Sequence, residues 1–332
     1  MGSLANLPVE IWEHIINDVV GPANPTPNSE FPWIYSFRSE SCTHAARKQR
    51  LQKLQLLSAV ARTWHELCLM LSYETFVLRD DPIRLRWLLN TRLPQFPYLF
   101  RRTRRLVVIF HCSGVKYFSQ SIALFVKLVE EMPVLQDLAL HVSPFHSERH
   151  RLVERGIIEA LRPIGSKLLF LQIQDFILRD KSHERILTGQ SVEALSALAP
   201  NLTRLICAIK IDKPSSSDPA PSFPNLQILH MQLHADRFEQ DAVHDWLDRW
   251  RLGTLKQLGA KDGVLIPLSG WVPTLLRGNN GRNLEVFEVA VCMFPVPLRA
   301  SSLMQYTERQ SILGYSSRSL DTVSKLAYIN RL

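Results

Sequence analysis

Leu135-Gln136-Asp137-Leu138-Ala139-Leu140 and Leu226-Gln227-Ile228-Leu229-His230-Met231 share one pattern, with a bulky apolar residue at the first, fourth and sixth positions. Leu168-Leu169-Phe170-Leu171-Gln172-Ile173 and Leu284-Glu285-Val286-Phe287-Glu288-Val289 repeat it. Leu202-Thr203-Arg204-Leu205-Ile206-Cys207 and Leu255-Lys256-Gln257-Leu258-Gly259-Ala260 are weaker copies. Tyr73-x-x-Phe76-x-Leu78 and Thr103-x-x-Leu106-x-Val108 supply the first two. The copies start at positions 73, 103, 135, 168, 202, 226, 255 and 284, so successive starts lie 24 to 34 residues apart. Alternation of apolar residues within each copy predicts a short strand with one face turned to a core.

Amphipathic stretches fill the intervals. Residues 119–131 place Ile122, Phe125, Val126 and Val129 on one helical face after a Ser119 cap. Residues 150–161 offer Leu152, Val153, Ile157 and Leu161, and residues 191–198 offer Val192, Leu195 and Leu198. Residues 241–252 align Val243, Trp246, Leu247 and Trp250 after an Asp241 cap. Pro200-Asn201, Pro224-Asn225 and Met132-Pro133 stand just before a copy, where a turn residue stops the helix and aims the strand. One strand followed by one helix, repeated, predicts an α/β fold with a parallel sheet. Such a unit buries its apolar face only by stacking on its neighbours, which makes an α/β solenoid. An ordinary α/β domain with leucine-rich strands is the alternative. Asp212 to Ser222 is a Pro/Ser-rich loop inside the array, and Gly278-Asn279-Asn280-Gly281 is a turn.

The first seventy residues have a different period. Leu7-Pro8 starts a helix, because proline fits the first turn where its missing N–H is not needed, and Asn6 is a candidate cap. Ile11, Ile15 and Ile16 make an apolar stripe, and the helix is expected to end near Gly21-Pro22. Pro22, Pro25, Pro27 and Pro32 predict an irregular segment over 21–50, with an aromatic stretch from Phe31 to Phe37. Leu51 to Cys68 reads as one second amphipathic helix.

This helical pair resembles an F-box, on Leu7, Pro8, Glu10, Ile11 and Ile15 and then Leu54, Leu57, Ser58, Val60, Arg62 and Trp64. The spacing of the later strands is near that of leucine-rich repeats, though longer and less regular. The resemblance implies an α/β protein with three parts. Residues 1–70 form an F-box-like helical module with an insertion at 21–50, as in many fungal F-box proteins. Residues 71–300 form an irregular leucine-rich-repeat solenoid carrying the loop at 212–222, and residues 301–332 form a C-terminal cap or tail. It also implies a substrate-recognition subunit of a Skp–cullin–F-box ubiquitin ligase that does no chemistry itself. Leu7, Pro8, Glu10, Ile11, Ile15, Leu57, Val60 and Trp64 would face a Skp-family adaptor, and through it a cullin. The alternatives are a leucine-rich-repeat scaffold with no ligase role and, less favoured, a basic nucleic-acid or phosphate binder using Arg101–Arg105 and its neighbours.

A protein client would meet the outward side of the strands, where His141, Gln172, Gln174, His230, Gln232, Lys261 and Glu288 alternate with the inward leucines. The same outward positions include Ala139, Ile206, Ala208, Gly259 and Ala290. That mixture is polar but weakly charged, which suits a protein surface rather than a nucleic-acid channel dense in Lys and Arg.

Bulk properties bound the remaining classes. The hydrophobic content of 46% is too high for a disordered chain. No apolar run reaches the ~18–20 residues of a membrane helix, and the start lacks the basic flank and apolar core of a signal peptide. Met1-Gly2 begins like a myristoylation site but has Asn6 where Ser or Thr is needed. Cys42, Cys68, Cys112, Cys207 and Cys292 are odd in number and include no C-x-x-C pair. A disulfide framework or zinc site is therefore not expected, and reduced thiols fit the cytoplasm or nucleus. Phosphate-loop, dinucleotide and nucleophile-elbow motifs are lacking, so neither enzyme nor cofactor is expected. His141, His146 and His150 are the nearest approach to a metal cluster, but Pro144 argues for a loop there. His230 and His234 would lie ~13 Å apart on a strand. Residues 51–110 carry ten Lys/Arg and four acids, densest at Arg101-Arg102-Thr103-Arg104-Arg105. That run reads either as a patch for phosphate or an acidic partner, or as a solvated strand start, the usual fate of charge runs.

Overall fold

The computed structural model describes residues 7–21, 40–79, 82–110, 115–142, 150–175, 187–211, 220–235, 240–261, 268–277 and 279–290. The chain divides into two compact units, Met1–Leu168 and Leu169–Leu332. Both are α/β, and all nine strands among the described residues that have printed partners pair in parallel.

The first unit opens with three helices, α1 (Val9–Val20), α2 (Glu40–Ser58) and α3 (Arg62–Tyr73). Pro8 occupies the cap position of α1 rather than its first turn, and its carbonyl accepts from the amides of Ile11 and Trp12. Gly21 closes the helix at φ 84°, a left-handed conformation that favours glycine. Two expectations are corrected here. The irregular stretch proposed over 21–50 is helical from Glu40 onward, and residues 22–39 lie outside the described set. The single helix proposed over 51–68 is two. The amides of Ala59 and Val60 fold back on the carbonyls of Leu56 and Leu57, and the Ser58 hydroxyl donates to the Gln55 carbonyl. Ala61 is then extended at φ −154°, ψ 156°. No glycine or proline marks that break, so the sequence pattern carried no sign of it.

Strands β1 (Thr75–Arg79), β2 (Arg105–Phe110) and β3 (Asp137–Val142) follow. Between β1 and β2 lie α4 (Pro82–Trp87), a π-helical turn over Leu88–Arg92, α5 (Leu93–Gln95) and α6 (Pro97–Arg101). Helix α7 (Val115–Glu130) separates β2 from β3, and α8 (His150–Leu161) comes after β3. The second unit runs β4 (Phe170–Asp175), β5 (Leu187–Thr188), α9 (Gly189–Leu198), β6 (Arg204–Ile211), β7 (Ile228–Ala235), α10 (Gln240–Asp248), β8 (Gln257–Lys261), α11 (Leu268–Leu275) and β9 (Val286–Ala290). Its strand order is β4-β6-β7-β8-β9, with β5 paired to β6. Parallel pairing requires a crossover between successive strands, and the helices provide most of them.

Eight strands begin two residues after the eight starting positions read from the sequence. The caps are placed differently. Ser119 is exposed within α7 and Asp241 lies inside α10, while Thr188, unmarked by the pattern, caps α9 by accepting from the Ser191 amide at 3.4 Å. Of the loop read at 212–222, residues 220–222 are described. Ser222 bridges Arg251, and Phe223 is buried against Trp250 with ring centroids 6.0 Å apart. Residues 212–219 and 301–332 lie outside the described residues.

The core is a row of register partners. Leu106 faces Leu138 in the first unit, and Leu171, Leu205, Leu229 and Leu258 align in the second; all are fully buried. Burial of one such leucine side chain contributes about 1.5–3 kcal/mol. Each step also repeats one backbone motif. The carbonyl just before a strand accepts two successive amides from the start of the next strand. Glu74 receives Arg104 and Arg105, Arg104 receives Gln136 and Asp137, and Leu169 receives Thr203 and Arg204. Thr203, Gln227 and Lys256 continue the series. Short polar side chains tie the turns beneath. Asn225 donates to the Pro200 carbonyl at 3.2 Å, Thr254 to Pro224 at 2.9 Å and Asn283 to Gly253 at 2.6 Å.

Asn280 is the buried form of the same device. It accepts from the Leu252 amide at 2.7 Å and donates to the carbonyls of Trp250 at 2.8 Å and Leu275 at 3.0 Å. Asn280→Ala strands these groups away from water and is expected to cost about 2–4 kcal/mol, read as a lower urea midpoint with an unchanged slope.

Candidate functional site

Helix α1 has two apolar faces and only one is covered. Ile16 and Val20 are buried with Leu54 of α2 and Leu67, Cys68 and Leu71 of α3, and Trp12, Leu57 and Trp64 pack at the edge. The rings of Trp12 and Trp64 lie 5.2 Å apart at 59°. Beside this face run Ile11, Ile15 and Val19, one turn apart, exposed by 44%, 36% and 53%. Val9 is also exposed, on the side of α1 that carries Ile16, and Leu56 and Val60 are exposed at the turn between α2 and α3.

Of the residues expected to meet an adaptor, Pro8, Glu10, Ile11, Ile15 and Val60 are therefore exposed, and Leu7, Leu57 and Trp64 are half-buried. Leu57 and Trp64 contribute to the packing of the module itself. Asn6 lies outside the described residues.

Arg50, which falls in the stretch read from sequence as irregular, holds this arrangement. Its guanidinium donates to the Gly21 carbonyl and to Asn17 Oδ1, the latter at 3.0 Å, and lies 3.8 Å from the Glu74 carboxylate. A cation at the C-terminus of α1 satisfies its open carbonyl and complements the helix dipole. Burial lowers the Arg50 pKa, and the Glu74 carboxylate opposes that shift. Glu13 of α1 meets Arg102 at 2.9 Å. The sequence signal for Arg50 was weak: one arginine in a segment dominated by the prolines before it.

The Arg101–Arg105 run disperses. Arg101 and Arg104 are exposed, Arg102 pairs with Glu13, and Thr103 is buried and donates to the Tyr73 carbonyl at 3.0 Å. Arg105 enters β2.

The expected client face is less open than its alternation implied. His141, Gln172 and His230 are buried, as are Ala139, Ile206, Ala208 and Gly259. This corrects the reading of His141, Gln172 and His230 as open positions for a client. Gln232 is half-buried. Gln174, Lys261 and Glu288 take the expected strand positions, with Lys261 in register with Gln232 and Glu288 with Gly259. Their side chains lie outside the described set.

His230 Nε2 lies 3.4 Å from Gln257 Nε2, and Arg204 stacks over the Phe170 ring at 5.6 Å. Burial, with the Arg204 charge added, pushes the His230 pKa down to about 3. Burial likewise pushes the Cys207 thiol up to about 12, which removes its thiolate character near neutral pH. Among the described residues no three His, Cys, Asp or Glu side chains are placed to share a metal ion. His146 lies outside them, and His230 and His234 share strand β7. No described helix is long and apolar enough to cross a membrane.

No family model matches this chain, and no curated protein or solved structure matches it.

Two outcomes are expected. Arg50→Met removes the donor from Gly21 and Asn17 and should lower stability by about 1–3 kcal/mol in chemical denaturation. For His230 the folded pKa lies below the unfolded one, so its neutral form is favoured by folding. Its stability contribution is complete above the unfolded value near 6.5 and is lost as pH falls toward 3. Wild type should lose about 2 kcal/mol more than His230→Gln between pH 7 and pH 5.

Proposed function

We propose that α1–α3 are an F-box that docks on a Skp-family adaptor. In this reading the strand–helix body is an irregular leucine-rich-repeat array that presents a protein client within a Skp–cullin–F-box ubiquitin ligase. One observation carries the reading: the second apolar face of α1, formed by Ile11, Ile15 and Val19, stays exposed although the module has a complete core. A small helical cap needs one buried face. A second one at helical spacing suits a partner helix or groove. Pro8 is exposed at the start of α1, where the resemblance places adaptor contact, and Glu10 is exposed on a different side of the helix from Ile11 and Ile15.

The repeating backbone step and the aligned leucines support the leucine-rich-repeat reading of the body. Such an array is stiff, because each repeat is fixed by its neighbours. Stiffness matters for a receptor that does no chemistry. It accelerates transfer by holding a client near a ubiquitin-charged enzyme, and proximity is effective only when the geometry is held. Client contact through the strand face would use its less buried members, Gln232 among them, rather than His141, Gln172 or His230.

The test is co-expression with a Skp-family adaptor followed by size exclusion. Wild type should elute as a 1:1 complex, and both Leu7→Ala/Pro8→Ala and Ile11→Asp/Ile15→Asp should elute alone with unchanged circular dichroism. Failure of wild type to form the complex removes the ligase role and leaves a repeat scaffold.

A further inference from the structure

From Pro82 to Arg104 the chain carries six arginines and neither aspartate nor glutamate; Asp80 and Asp81 stop just short of the segment. Helix α4 buries Leu85 and turns Ile83 and Trp87 outward, 78% and 47% exposed. Those two residues lie one turn apart on a helix, and Arg84 and Arg86, both exposed, fall on either side of them.

The π-helical turn then places a third arginine. The Leu93 amide donates to the Leu88 carbonyl, five residues back. In an α-helix residues five apart diverge by about 140°. The wider turn instead brings Arg92 beside Trp87. Its guanidinium carbon sits 5.5 Å from the Trp87 ring centroid and 5.4 Å from that of Phe96. Phe96 in turn meets Tyr98 edge-on at 6.4 Å, and Tyr98 is 49% exposed. Ring, guanidinium, ring and ring form one continuous array with exposed ends. Single π turns inside helices recur at functional sites, and here the turn sets the spacing of the array.

We propose that this surface docks an acidic protein segment that also carries bulky apolar side chains. The arginines supply charge complementarity, and Ile83 with Trp87 supplies an apolar anchor point. Tryptophan, tyrosine and arginine are the residue types that dominate binding energy at protein interfaces. Arg92 is held between two rings, so its planar fork is already oriented for a carboxylate. A single-stranded nucleic acid is the poorer occupant, because Arg92 already covers one face of Trp87 and of Phe96, where bases would stack. The surface uses none of the residues proposed for adaptor docking, so it stands or falls separately from that role.

The experiment is a fluorescence-polarisation titration of the full-length protein with a labelled peptide alternating Glu with Leu and Phe. The same sequence with Lys for Glu, and an oligo-dT, serve as competing probes. The acidic peptide should bind and the lysine peptide should not. Arg84→Glu/Arg86→Glu should weaken the acidic peptide by about tenfold or more, with Arg92→Ala severalfold weaker and Arg92→Lys not restoring it. Arg84 and Arg86 are exposed, so the double variant is expected to fold; if its circular dichroism differs, Trp87→Ala takes its place. Absence of saturable binding by the acidic peptide overturns the proposal. So does equal affinity in the folded charge-reversal variant. Tighter binding of oligo-dT than of the peptide also overturns it and assigns the surface to nucleic acid.

Discussion

Within each unit, the carbonyl before a strand, accepting two amides from the next strand, is the contact on which the rest of the structure depends. It fixes where one strand begins relative to its neighbour. Because side chains alternate along a strand, a slip by a single residue would turn the leucines out and the polar residues in. The paired amides leave no room for that slip, and the aligned leucines then bury as a row. Glu74 shows how far the contact reaches. Its carbonyl starts the first step of the ladder, and its carboxylate faces Arg50, which holds the end of α1. Strand register and helical module meet at one residue.

The parts of the fold that rest on apolar spacing were legible in the sequence. The L-x-x-L-x-L copies marked eight strands with a constant offset of two residues, because the first residue of a copy packs in the turn before the strand; it is buried in all but the first and last copies, where Tyr73 and Leu284 are half-buried. Helices α7, α8, α9 and α10 followed from their stripes and α1 from Leu7-Pro8, whereas α4, α5, α6 and α11 were not read. What escaped was set by single polar groups. The break between α2 and α3 depends on Ser58 and two tightened amides, and no breaker residue announces it. Thr188 caps α9, but a threonine among many gives no periodic signal. The short strand β5 has two residues, too few to show alternation.

The candidate surfaces were legible in a similar proportion. Ile11 and Ile15 could be read as apolar positions of α1, but the sequence grouped them with Ile16, which is buried, and did not mark Val19; spacing finds the apolar residues and not which of them the module covers. The outward strand row was placed correctly on the sheet but not in its environment, since alternation gives direction and not cover. Arg50 and the array around Arg92 were opaque for one reason. Both bring together residues whose proximity comes from tertiary geometry or from a widened helical turn, and neither follows a helical or strand period.

The intervals between successive strand starts range from 24 to 34 residues, yet the register does not change. For a flexible connection the entropy of closing a loop grows only with the logarithm of its length, so the longest interval costs about 0.3 kcal/mol more than the shortest. Architecture and decoration are therefore nearly decoupled. The turns and the helices that pack on the sheet carry the frame, with Phe125 and Trp246 fully buried, and only the flexible parts of the connections are free to lengthen, shorten or change chemistry at little thermodynamic cost. A chain built this way can change what it displays at the strand ends while its frame stays the same.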